Sequence, residues 1–126
     1  LKVTSDQRFP KRARLLKHAD FENIYRKGRR YFSANMTVFS LRPGAESSAG
    51  VRIGLGVGRA LGGAVMRNRI KRRLREAIRR HMQKLAPPMD VVVNPKRTVA
   101  KIEFAKLEME IERAFAAIES AERSQK

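Results

Sequence analysis

The chain has 126 residues, 42% of them hydrophobic, with 29 Lys and Arg against 12 Asp and Glu, a formal net charge of +17 and no cysteine. This length supports one domain with one modest core, and the apolar share exceeds that of a disordered chain. Disulfide frameworks and thiolate metal sites are excluded. No stretch has the length of a membrane span or the apolar core of a signal peptide, so a cytoplasmic location without membrane contact is expected.

Residues 1–13, which contain Pro10 and show no clear period, are expected to form an irregular basic arm. His18–Lys27 has Phe21, Ile24 and Tyr25 at i, i+3, i+4 with Gly28 as a stop, which predicts a short helix. Tyr31–Leu41 is rich in aromatic and β-branched residues and predicts one strand, with Thr37, Phe39 and Leu41 on one side and Met36 and Val38 on the other. Pro43–Gly50 is a loop by composition. In the next strand Val51, Ile53, Leu55 and Val57 alternate with Arg52, Gly54, Gly56 and Gly58. The apolar set faces the core, and the glycine set permits close backbone approach.

Ala64–Leu85 follows as an amphipathic helix with a single carboxylate, Glu76. Met66, Ile70, Leu74, Ala77, Ile78, His81 and Leu85 share one side, while Asn68, Arg72, Arg75 and Arg79, flanked by Arg69 and Arg80, share the other. Met89–Pro95 then predicts a buried strand, with Asp90 as an edge or capping residue at its start. Ile102–Ala121 predicts a second amphipathic helix, on which Phe104, Leu107, Ile111, Ala114, Phe115 and Ile118 face the core. Glu103, Glu108, Glu110 and Glu112 lie on a solvated face, and residues 119–126 make a frayed tail. The expected architecture is a single α+β domain over 1–126, a sheet with helices packed on it.

Residues 1–30 carry ten Lys/Arg against three Asp/Glu, residues 59–84 carry ten against one, and residues 85–126 carry seven against seven. Like charges one turn apart repel, and solvated faces usually mix signs, so the helix beginning at Ala64 calls for a polyanion. Guanidinium groups bind phosphate bidentately, which points to nucleic acid. Catalytic chemistry is missing. The glycine stretch Gly54–Gly63 matches neither a dinucleotide nor a P-loop pattern, His18 and His81 lack obvious local partners, and no carboxylates are paired as a nuclease metal site requires. Six of the eight aromatics lie in the first 39 residues, beside the basic arm. Phe32 suits the core, whereas Phe21, Tyr25 and Phe39 suit the core or a stacking platform for single-stranded nucleic acid equally well.

AVMRNRIKRRLRE (Ala64–Glu76) resembles the arginine-rich signature of the bacterial ribonuclease P protein family. RLLKHADFENIYRKGRR (Arg14–Arg30), RIGLGVGRALGGAV (Arg52–Val65) and MDVVVNPK (Met89–Lys96) are similar to the segments that family places around it, so the resemblance spans about residues 9–118. It implies a two-layer sandwich of about four strands and three helices, like the second domain of ribosomal protein S5. It also implies a left-handed crossover at the basic helix, where the general rule for parallel strands gives a right-handed one.

By the same resemblance the partners are the ribonuclease P RNA, which is the catalyst, and precursor tRNA, whose 5′ leader is removed with magnesium ions. No cofactor is expected on the protein itself, and no obligate protein partner is evident. The resemblance places Arg67, Asn68, Arg69, Lys71, Arg72 and Arg73 on the catalytic RNA, and the same surface includes Arg59, Arg75 and Arg79. It assigns the leader to a cleft holding Phe21, Tyr25, Thr37 and Phe39, with Arg14 and Lys17 on its approach. The family often has a second basic residue at the position of Ala60 and an Asn at that of Gly63. The residues alone also allow a ribosomal-type structural RNA-binding protein, a DNA-binding protein or, least readily, a stand-alone nuclease.

Overall fold

The computed structural model of the chain describes residues 17–44 and 50–124. All of the expected arm and most of the loop after Pro43 therefore lie outside the described residues. The helices are α1 (His18–Lys27), α2 (Ala64–Arg79) and α3 (Phe104–Ser124). The strands are β1 (Arg29–Phe32), β2 (Met36–Leu41), β3 (Val51–Leu55) and β4 (Met89–Pro95), arranged in the order β1-β2-β4-β3. β1 and β2 are antiparallel, as are β2 and β4, while β3 runs parallel to β4 and is joined to it through α2.

β4 is central and reads almost without a polar break because helices cover both of its faces. Val91 and Val93 enter the main core with Met36, Val38 and Ile53, against Ile70, Leu74 and Ile78 of α2 and Leu107, Ile111 and Phe115 of α3. Val92 points the other way, into a small cluster with Ile24 of α1 and Phe39 of β2. A fully buried side chain of this size contributes about 1.5–3 kcal/mol, so a cluster of three anchors α1 far less firmly than the main core anchors α2 and α3.

Polar ties supply the rest. Arg52 of β3 pairs bidentately with Asp90 of β4, Nε to Oδ1 at 2.8 Å and Nη2 to Oδ2 at 2.7 Å. Asp20 in the first turn of α1 lies 3.8 Å from the same guanidinium and accepts the Lys17 N–H at 2.9 Å. Hydrogen bonding to Asp90 raises the Arg52 pKa against the opposing effect of burial, so the cation is secure. Asp90 is therefore no solubilising edge residue. It is 5% exposed and locks the sheet edge under α1.

Several expectations change. The segment Tyr31–Leu41 is two strands, because Ser33–Asn35 turn the chain: the Ser33 N–H donates to the Met36 carbonyl at 3.0 Å and Glu110 of α3 accepts from both Ser33 and Asn35. Phe32, expected in the core, ends the edge strand at 75% exposure. The basic helix stops at Arg79, and a 3-10 turn over Met82–Lys84 carries the chain on to Leu85, which is buried.

The acidic face of α3 is engaged as well as solvated. Glu108 meets Arg80 and His81, and Glu112 takes the Lys84 ammonium at 2.7 Å. Glu119 accepts the Ala86 N–H at 2.9 Å and Glu122 pairs with Arg42 at 2.8 Å, so the helix continues through residues expected to fray. Within α2, Glu76 pairs with Arg79 and Arg80. Its pKa is lowered chiefly by the hydrogen bond from Arg79, against the opposing effect of burial.

Gly28 stops α1 by proximity rather than by a left-handed conformation. A Cβ there would lie 2.6 Å from the Ile24 carbonyl oxygen and 2.7 Å from that of Ser40, and backbone cannot step aside. Gly28→Ala should therefore cost roughly 1–3 kcal/mol, read as a lower urea midpoint. A second expectation follows from Glu76. Its folded pKa lies below the ordinary 4.5, so its ion pairs add stability above about that pH and lose it as pH falls through the lowered value. Glu76→Gln should flatten the acid limb of a stability–pH curve below about pH 4.5 and leave the rest of its shape unchanged.

Candidate nucleic-acid interface

Two surfaces collect the candidate residues. The first is the outer face of α2 with the turn before it. Arg59 lies exposed on the 3-10 turn Arg59–Leu61, and Gly63 precedes the helix in extended conformation with no side-chain cap. The first N–H groups of α2 thus have no side-chain acceptor, as is common where a helix meets an anion. Asn68, Arg69 and Arg72 are exposed, while Arg67, Lys71, Arg73 and Arg75 are half-buried.

The arginines from Arg67 to Arg80 are held by acceptors of two kinds. Arg67 donates Nε–H to the Gly62 carbonyl at 3.1 Å, Arg69 to the Ala100 carbonyl at 2.7 Å, and Arg73 donates through Nη2 to the Ile102 carbonyl. Each acceptor is neutral. It fixes the guanidinium in place, consumes few of its five donors and leaves the full positive charge. Arg79 and Arg80, by contrast, are paired with Glu76 and, for Arg80, Glu108. The stripe from Asn68 to Arg79 is thus not uniform: its N-terminal part carries uncancelled charge, and its C-terminal end is bonded to carboxylates. Burial first, then repulsion from nearby Arg69, lowers the Arg73 pKa below its ordinary value.

The second surface is the cleft between α1 and the sheet. Phe21 and Tyr25 meet edge-to-face with centroids 6.2 Å apart, and Tyr25 meets Phe39 likewise at 4.9 Å. The Tyr25 hydroxyl donates to Asn94 Oδ1 at 3.0 Å, which fixes the ring. The Arg30 guanidinium covers Phe39 at 5.6 Å from its centroid. Phe39 is 9% exposed and forms the floor, while Phe21 and Tyr25 are half-buried walls. Thr37 lies between Phe32 and Asn94 in the register of β1, β2 and β4, and Lys17 is exposed at the start of α1. Arg14 lies outside the described residues.

Gly56 explains the bare face expected of the glycine-rich strand. A Cβ there would fall 2.0 Å from Asn94 Oδ1 and 3.0 Å from the Tyr25 hydroxyl, so glycine is what lets that bond form. Sequence reasoning missed Asn94 and Arg30. The signal for Asn94 was a lone amide directly after the apolar run Val91–Val93, and Arg30 offered none beyond its charge. Among the described residues no three His, Cys, Asp or Glu side chains gather as metal ligands, and no helix is long and apolar enough to cross a membrane.

Known proteins share this plan. The family model described as Ribonuclease P matches residues 9–119. The chain is 38% identical over 101 residues to the ribonuclease P protein component of Dictyoglomus thermophilum, which covers 79% of this chain and 82% of that one. It is 46% identical over 86 residues to the ribonuclease P protein component of Oleidesulfovibrio alaskensis, covering 68% and 67%. The solved RNase P protein of Staphylococcus aureus aligns with a TM-score of 0.71 at 27% identity over 84% of this chain and 94% of that one. That of Thermotoga maritima aligns with 0.65 at 27% identity over 79% and 96%. Since the matched stretch takes in both the arginine helix and the aromatic cleft, the chain belongs to the bacterial ribonuclease P protein family.

Proposed function

We propose that this chain is the protein subunit of ribonuclease P, acting in the cytoplasm in tRNA processing, and that it holds the catalytic RNA and the precursor tRNA leader on its two surfaces. The observation that carries this reading is the set of arginines on α2 held by neutral carbonyls. Side chains tied down in this way bind phosphates at little conformational cost and keep their whole charge. In this reading Arg59, Arg67, Asn68, Arg69, Lys71, Arg72, Arg73 and Arg75 meet the catalytic RNA. Arg79 joins them only through donors that Glu76 leaves free.

The cleft takes the leader. An exposed edge of Phe21, the Tyr25 ring and the Arg30 guanidinium above Phe39 offer stacking surfaces to unpaired bases, and Lys17 and Thr37 stand at either end to meet phosphates and sugars. Two polyanions repel each other, and a cationic protein between them offsets that repulsion. Hydrolysis of the phosphodiester bond is assigned to the RNA. We assign the magnesium requirement to the RNA as well.

The direct test is cleavage of a 5′-extended precursor tRNA at low magnesium by the protein, a bacterial ribonuclease P RNA transcript, or both. Cleavage at the mature 5′ end should need both under these conditions. Binding of the RNA with no gain in cleavage would reduce the protein to a structural RNA binder, and cleavage by protein alone would overturn the assignment of chemistry. Arg69→Ala with Arg72→Ala should weaken RNA binding and make the log Kd against log salt slope shallower by about 0.7–0.9 per lost contact. Phe21→Ala should weaken holoenzyme binding of leader-bearing precursor by roughly fivefold or more and spare mature tRNA.

A further inference from the structure

A groove of about 780 Å³ lies at the free edge of the sheet, between the β1–β2 turn and the outer side of α3. Tyr31, Phe32, Ile102 and Met109 supply its apolar walls. Phe32 is 75% and Met109 46% exposed, and they are two of the three large apolar side chains exposed among the described residues. Lys106 and Arg113 also line the groove, and Arg113 acts on neighbouring Glu112 only through its field. The single carboxylate there, Glu110, is turned onto the Ser33 hydroxyl and the Asn35 N–H groups. The Tyr31 hydroxyl is buried without a partner.

The groove adjoins the arginine face. Ile102 lines it, and the carbonyl of the same residue accepts the hydrogen bond from Arg73. Two exposed apolar side chains are far too few for a stable protein interface, which buries about 800 Å² on each partner. The volume lies within the range of small-ligand clefts, and an exposed aromatic ring in the same groove as two cations matches a base with its phosphate.

We infer that this groove receives one unstacked nucleotide of the catalytic RNA, its base against Phe32 and Met109 and its phosphate on Lys106 and Arg113; this rests on the reading that α2 binds that RNA. The nucleotide extends the contact from the arginine helix around the start of α3 to the sheet edge. It adds stacking, which is independent of salt, to an interface otherwise dominated by phosphate contacts.

The test is filter binding of the full-length protein to a bacterial ribonuclease P RNA transcript across a salt series, with thermal unfolding as the fold control. Because Phe32 is exposed, Phe32→Ala should unfold like the parent, bind about tenfold more weakly and keep the parent salt slope. Phe32→Trp should restore binding. Lys106→Ala with Arg113→Ala should make the slope shallower by about 0.7–0.9 per contact. A photoreactive benzophenone amino acid at position 32 should crosslink to an unpaired nucleotide of the transcript. If Phe32→Ala binds like the parent while Arg69→Ala with Arg72→Ala is weakened, the groove inference fails and the function of α2 stands. If neither substitution weakens binding, the underlying reading fails as well. Crosslinking to a second copy of the protein, or self-association abolished by Phe32→Ala, would assign the groove to protein contact and overturn the inference.

Discussion

Val91, Val92 and Val93 put apolar side chains on alternate faces of the central strand, so both faces of β4 have to be covered. The two covers are unequal. α2 and α3 close one face over a large core, and that firm packing turns the hydrophilic side of α2 outward as a rigid rod. α1 closes the other face only in part, over three buried residues, and the uncovered remainder is the aromatic cleft. Both candidate surfaces follow from that asymmetry. A second large helix over Val92 would add stability and remove the cleft.

Charge imposes a second constraint on the same elements. With 29 cations and 12 carboxylates, neutralisation can be only local, and the acids are concentrated where the fold needs rigidity. Glu108 and Glu112 bind α3 to the turn that follows α2, Glu76 neutralises the end of α2 itself, and Asp20 and Asp90 fasten α1 to the sheet through Arg52. Arg67, Arg69 and Arg73 receive carbonyl oxygens instead. An arginine bonded to a carboxylate is nearly neutral at a distance, whereas one bonded to a carbonyl still attracts phosphate. The choice of acceptor divides arginines paired with carboxylates from arginines that keep an uncancelled charge.

The cleft depends on a chain of small adjustments. Gly56 leaves room for Asn94, Asn94 orients Tyr25, and Tyr25 packs edge-on between Phe21 and Phe39. Phe21 and Tyr25 are thereby held half-buried over the Phe39 floor. This is the geometry in which a base can be added without reorganisation.

Much of this was legible in the sequence because it depends on periodicity and composition. The 3.6-residue spacing marked α1, the core side of α2 and the apolar stripe of α3, and alternation placed Ile53 inward and set Phe39 on the opposite face from Val38. The charge count pointed to a polyanion, and the arginine-rich run identified the family. What the sequence could not decide depends on contacts between residues far apart in the chain. The break between β1 and β2 rests on Glu110, 75 residues beyond Asn35, and the burial of Asp90 rests on Arg52. Phe32 has the composition of a core residue and the position of an edge one, since only strand order tells which strand lies outermost. Which arginines keep their charge was likewise settled by tertiary structure, because identical side chains on one helix differ only in the acceptor that a neighbouring segment brings to them.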